Sequence, residues 1–175
     1  MSAEPLSIQH NRRQIRRLTL LGMLAATAAM IQIIESPLPR LLPWLKPGLS
    51  NSIVLFGILR ISPWFGVQIV VLRSFLTGIF LGTLFSPVNL LAFAGGISSA
   101  LVMGGTHRFF SRFFSVYGIS ILGALVHNIA QLSAIGALFG ASVPIWFHLV
   151  LMIWIAIPSG IIVAKMTNEL LGRIP

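Results

Sequence analysis

The 175-residue chain has no cysteine and no aspartate, and its three acidic residues are all glutamate. Without cysteine there are no disulfides, thiolate metal sites, iron–sulfur clusters or Cys nucleophiles, and the redox compartment stays undetermined. Without aspartate, Mg-dependent phosphoryl or prenyl chemistry loses the clustered carboxylates that usually hold its metal. Glu4, Glu35 and Glu169 lie in different regions and form no such cluster. Charge of either sign is scarce as well. Charged residues make up 9% of the chain against 56% hydrophobic, whereas soluble domains run at about a quarter charged. A chain this apolar lacks the polar surface to cover a globule and belongs in the lipid bilayer. The net charge of +9 therefore does not point to nucleic acid.

Division of the chain at charges, prolines and polar clusters predicts six helices, at about 17–35, 50–61, 62–83, 87–105, 116–139 and 144–166. Each is judged against the ~20 apolar residues that cross a bilayer. The expected fold class is an all-α integral membrane protein of about six transmembrane helices. The second segment, Ser50 to Ile61, is short for a span, and it is expected to tilt, bend or continue across Ser62 and Pro63 into the third. A basic start followed by an apolar run resembles a signal sequence, but Leu18 to Ile34 is long and further apolar spans follow. It reads as a retained first helix. Residues 1–16 are then a cytoplasmic basic tail, 17–168 a single transmembrane domain and 169–175 a second cytoplasmic tail.

Loops retained in the cytoplasm carry the excess of Lys and Arg. With the N-terminus inside, Arg12, Arg13, Arg16, Arg17, Arg60, Arg108, Arg112, Lys165 and Arg173 all fall on the cytoplasmic side, Arg40 and Lys46 fall outside, and Arg73 lies within a span. Both termini are therefore expected in the cytoplasm. Between Glu35 and Asn51, four prolines and Gly48 forbid regular helix, while Leu41, Leu42, Trp44 and Leu45 favour the interface. That segment is expected to be an ordered outer loop or re-entrant lid, with a plain interfacial connector as the alternative.

Arg73 is the most informative residue. It sits near the middle of the third span, where a charge facing lipid costs about 2.5–3.5 kcal/mol, so it must face the protein interior. Its planar fork of donors suits carboxylate or phosphate. A structural pairing with Glu35 or with backbone carbonyls stands beside an anionic ligand as its explanation. In the fifth span, Ser120, His127, Gln131 and Ala134 share one helical face, with Asn128 beside them. Several polar groups on one face must look into the bundle, either as glue between helices or as a ligand-facing cluster.

Other readings are weaker. His127 and His148 differ in predicted height by roughly 10 Å, which disfavours one haem between them. His10 and His107 read as solvated, no triplet has zinc-ligand spacing, and no cofactor is expected. Gly95, Gly96, Ser98, Ser99 and Ala100 make the fourth span rich in small residues, favouring close packing over a backbone-lined cavity. Asn89, near its outer end, is a further polar candidate. On the first span, Ala25 and Ala29, and likewise Gly22 and Ala26, stand four apart. Such ridges suit packing within the chain or docking of another membrane subunit.

These blocks in order are Glu-Ser-x-x-Pro at Glu35, KPGLSN ending at Asn51, Arg73 followed by Gly78, AGGISSALVM, and GISILGALVHNIAQ. Together they resemble the Gx transporter family, also described as heptaprenyl diphosphate synthase component I. More distantly they resemble the substrate-binding S components of energy-coupling-factor importers. Pro47 departs from the pattern, which has an apolar residue between the positions matched by Lys46 and Gly48.

The resemblance implies a six-helix, S-component-like bundle in the bacterial plasma (inner) membrane, with a ligand pocket opening outward beneath the loop between the first two helices. It implies a substrate-binding or permease subunit for a small anionic or isoprenoid-related solute. Arg73 would neutralise the solute, His127, Asn128 and Gln131 would orient it, and Glu35 and Asn51 would shape the gate. Ala25 and Ala29 match the pattern that docks a coupling subunit, and ATP hydrolysis would belong to separate partner subunits. The alternative is a non-catalytic accessory subunit in prenyl diphosphate or quinone metabolism, or in a membrane redox complex. Prenyltransferase activity is not expected of this chain, because it lacks Asp-rich motifs.

Overall fold

The computed structural model describes residues 6–37, 48–139 and 145–173. Among these residues the fold is six helices: α1 (Leu6–Glu35), α2 (Asn51–Arg60), α3 (Pro63–Phe80), α4 (Pro87–Phe110), α5 (Val116–Phe139) and α6 (Ile145–Arg173). Five of them are long and apolar enough to cross a membrane, and α2 is the exception. The six expected helices are all present. Their ends differ mainly where a charged stretch was taken as the stop, since α1 begins at Leu6, α4 runs on to Phe110 and α6 to Arg173. Arginine and lysine are good helix formers, so a helix leaves the bilayer without ending there. The middle of the expected outer loop, with Arg40, Lys46 and Pro47, lies outside the described residues.

α2 does not continue into α3. Ser62, in extended backbone, accepts a hydrogen bond from the Phe65 amide at 3.3 Å, and Pro63 occupies the first turn of α3. A capping serine followed by proline is a helix start, so α2 and α3 form a tight hairpin. Its two arms meet through missing side chains. A Cβ on Gly57 would stand 2.6 Å from Ile69 Cδ1, and one on Gly66 would overlap Ile58.

The position of α2 is the unusual feature. Its residues Asn51 to Ile58 are all buried, as expected for a helix that is apolar around its whole circumference. It touches α1, α3, α4 and α6. Ten residues give a length of only ~15 Å, half the ~30 Å hydrocarbon core. Its start lies inside the bundle. The Ser52 carbonyl accepts from Thr167 Oγ1 at 3.2 Å, although Thr167 is near the far end of α6. The turn before α2 is likewise bonded to Arg73, ten residues into α3. α2 is thus a half-span, and a polar turn is carried to mid-depth on top of it.

The remaining helices enclose this centre: α3 packs on α1 and α4, α4 on α5, and α5 on α6. The core comprises Val54, Leu55, Ile58, Phe65, Ile69, Val70, Ala100, Met103 and Ile119. Exposed Phe80 and Phe85 stand at one end of the bundle and exposed Phe109 and Phe113 at the other. The second end also carries Arg12, Arg13, Arg16, Arg17, Arg60, Arg108 and Arg112. Arg17 lies over the Phe65 ring at 5.8 Å.

Candidate functional site

The polar turn before α2 organises the site. Gly48 has φ +70°, a left-handed conformation that glycine adopts without strain. Beyond it the turn closes by hydrogen bonds from the Asn51 amide to the Gly48 carbonyl (2.9 Å) and from the Ser52 amide to the Leu49 carbonyl (2.9 Å). Ser52 Oγ donates to that same carbonyl at 2.7 Å. Glu35, at the end of α1, accepts from the Leu49 amide at 2.7 Å. A turn deep in the bundle is tolerable because these bonds satisfy its backbone.

Arg73 reaches this turn from α3. It is 2% exposed, and its Nη1 donates to Ser50 Oγ at 2.8 Å while Nη2 donates to Asn51 Oδ1 at 3.0 Å. Its two hydrogen-bond partners are therefore neutral side chains; of the partners weighed from sequence, backbone carbonyls are not used, whereas Glu35 lines the same cavity and interacts with the guanidinium through its charge. Arg73 Nε has no hydrogen-bond partner among the described residues, and neither do the buried hydroxyls of Ser74 and Thr77 on the same helix. Arg73 also sits beside the N-terminus of α2, the positive end of that helix's dipole.

A cavity of about 20 Å³ lies at this point, lined by Glu35, Asn51, Arg73, His127 and Gln131 together with Gln32, Gly48, Ser50 and Ala92. Five of the six expected site residues, taken from four helices, thus line one space. The sixth, Asn128, lines an adjoining cavity of about 10 Å³ with Ser99, Ser120 and Ser159, and Gly48, Asn51 and His127 border both. Each cavity has room for about one water. Asn128 Nδ2 donates to the Met152 carbonyl at 3.0 Å, and Ser120 Oγ to the Gly160 carbonyl at 2.7 Å. The polar face of α5 is therefore divided, with Asn128 and Ser120 tying α5 to α6 and His127 and Gln131 turned toward α4.

Gly95 and Gly96, small residues expected to favour close packing, are what admit these side chains. Gly96 faces Arg73, and a Cβ there would lie 2.9 Å from Nη2. Gly95 faces α5, and its Cβ would lie 2.9 Å from Gln131 Cγ and 3.0 Å from His127 Cε1. Neither glycine lines the cavity; each lets side chains of α3 or α5 pack directly on the α4 backbone, the close packing expected of that stretch. Gln32 was missed, although it stands one helical turn before Glu35. Ser50 was missed beside Asn51. Asn89 is used locally, its Nδ2 donating to the Leu84 carbonyl at 3.1 Å.

Ala25 and Ala29 were expected either to pack within the chain or to dock another subunit. Ala25 is 0% and Ala29 4% exposed, and Ala29 stands at the floor of a surface groove lined by Ala26, Met30, Ile33, Leu76 and Phe80. The ridge that faces outward is Gly22 with Ala26, because a shift of one residue turns a helix position by about 100°. Among the described residues, no group of three or more His, Asp or Glu is placed to hold a metal.

A solved structure of the S component of a bacterial ECF transporter matches over 92% of this chain and 96% of its own, with a TM-score of 0.60 and 22% identity. At that identity the likeness concerns the fold, an all-helical membrane bundle of the S-component type. No curated protein matches the chain. The family model for heptaprenyl diphosphate synthase component I aligns with residues 24–170, and the chain belongs to that family.

Proposed function

We propose that this protein is the membrane-embedded binding subunit of a transporter for a small anionic or isoprenoid-related solute, held at the Arg73 cavity. The observation that carries the reading is the electrostatics of that cavity. A buried guanidinium and the N-terminus of α2 converge where Glu35 is the only acidic residue among those lining the space. Two positive features facing one carboxylate favour a second anion. His127 and Gln131 would orient it, Asn51 and Glu35 would shape its entrance, and Asn128 would contribute from the adjoining cavity. Because the cavity holds about one water, solute entry requires the helices around it to separate, in keeping with alternating access.

The charge distribution supports both termini in the cytoplasm and a bacterial plasma membrane setting, with residues 17–168 as one transmembrane domain. The S-component-like fold supports separate coupling and ATPase subunits as partners. No chemistry is assigned to the chain, since it lacks the aspartates that hold metal and allylic diphosphate in prenyl transfer.

The test is ligand-dependent stabilisation and equilibrium binding on the purified protein, with phosphate, pyrophosphate, small carboxylates and isopentenyl diphosphate as probes. An anion that stabilises the wild type and not Arg73→Ala supports the reading. Unchanged affinity in Arg73→Ala removes Arg73 from the site. The family description favours a second reading, a non-catalytic accessory subunit of prenyl diphosphate or quinone metabolism or of a membrane redox complex. It predicts stable co-purification with an enzyme or redox subunit and no solute-dependent stabilisation. Product formation from isopentenyl and allylic diphosphates by the isolated chain would overturn both.

A further inference from the structure

A second space, separate from the Arg73 cavity, opens at the basic end of the bundle. It is a groove of about 600 Å³ between α1, α2 and α6, with apolar walls that include Leu20, Met23, Phe56 and Leu170. Arg16 and Arg60 line the same groove. Both are exposed, and among the described residues neither forms a salt bridge, Glu169 beside Leu170 included.

The dimensions match one leaflet. Along α1 the groove extends from Arg16 to Thr27, eleven residues or ~16 Å, against a half-thickness of ~15 Å for the hydrocarbon core. Its two guanidiniums stand at the basic end, at the level of that leaflet's headgroups. We propose that this groove binds one anionic phospholipid, its phosphate held between Arg16 and Arg60 and one acyl chain lying along Met23 and Phe56. Phosphate is the natural partner for two guanidinium forks, and neighbouring Arg12, Arg13 and Arg17 strengthen the local attraction for anionic lipid. An apolar helix of another subunit fits less well, because its approach would strip water from both cations without supplying a counter-charge. The bound lipid would fasten α1 to α2 and α6.

Native mass spectrometry of the full chain, delipidated and titrated with phosphatidylglycerol or phosphatidylcholine of the same acyl chains, tests this. The expected result is roughly tenfold more phosphatidylglycerol adduct than phosphatidylcholine on wild type, falling to the phosphatidylcholine level in R16Q/R60Q. Arg112→Gln, on the α4–α5 loop, controls for general charge and is expected to bind as wild type. Leu20→Trp, which fills the rim and keeps both arginines, is expected to lower adduct formation as well. Equal binding of the two lipids, full retention by R16Q/R60Q, or an equal loss in Arg112→Gln would overturn the proposal. So would a partner subunit cross-linked through a photoreactive residue at position 23 in place of lipid.

Discussion

Gly96 and Arg73 are in contact across the α3–α4 interface: a Cβ on the glycine would stand 2.9 Å from Nη2 of the arginine and 2.8 Å from Val70 Cγ1. The guanidinium occupies the volume that any other residue at position 96 would fill. Its bonds to Ser50 and Asn51 leave it little freedom to retreat, and Val70 is stiff at χ1.

Gly96→Ala is accordingly expected to destabilise the protein by about 1–3 kcal/mol through overpacking and to weaken binding of any anion that depends on Arg73. Gly105→Ala on the same helix meets nothing within 4 Å and is expected to stabilise by roughly 0.5–1 kcal/mol through helix propensity alone. Thermal unfolding of the two variants in one detergent makes the comparison. Equal shifts in the two would show that Gly96 is not a contact position.

Arg73→Lys keeps a cation and loses the fork. An ammonium is a point donor on a shorter reach, so one of the two bonds to Ser50 and Asn51 is expected to fail, at a cost of roughly 1.5–3 kcal/mol. Arg73→Ala is expected to cost more, leaving Ser50 and Asn51 buried without their donor. Wild-type stability in the lysine variant would place the importance of the site in its charge alone.

Glu35 holds the turn before α2 through the Leu49 amide at 2.7 Å. Glu35→Gln keeps an acceptor and should lose less than Glu35→Ala, which leaves that amide unsatisfied at about 1–3 kcal/mol. Hydrogen exchange at Leu49 is the local readout, with faster exchange expected in the alanine variant than in the glutamine variant.

The divided face of α5 separates two roles. Asn128→Ala removes the bond to the Met152 carbonyl and is expected to lower stability by about 1 kcal/mol. Gln131→Ala changes a cavity wall opposite Gly95 and is expected to act mainly on anion affinity. A stability loss in Gln131→Ala matching that of Asn128→Ala, with affinity unchanged, would make both residues helix glue.

Gly160→Ala is expected to be the most damaging glycine substitution. Its Cβ would approach the Ile121 Cα at 2.7 Å, a backbone atom that cannot rotate aside, and forcing α5 from α6 would stretch the bond from Ser120 Oγ to the backbone carbonyl at position 160. Unfolding below the temperature of Gly96→Ala is the expected outcome.

Membrane setting, helix number and the inward orientation of Arg73, His127 and Gln131 followed from the amino-acid sequence. Hydropathy and in-span charge are local properties, and a polar side chain at mid-membrane must turn inward whatever its neighbours. The tertiary structure decided which inward groups meet. It placed α2 as a half-span with Ser50 at mid-depth, turned Ala25 and Ala29 inward and Gly22 with Ala26 outward, and gave Asn128 to α6. It also set Gly95 and Gly96 against side chains from two different helices. These are matters of rotation and depth between helices, fixed by which side chains interlock. A glycine shows nothing in sequence of the neighbour that will occupy its missing Cβ.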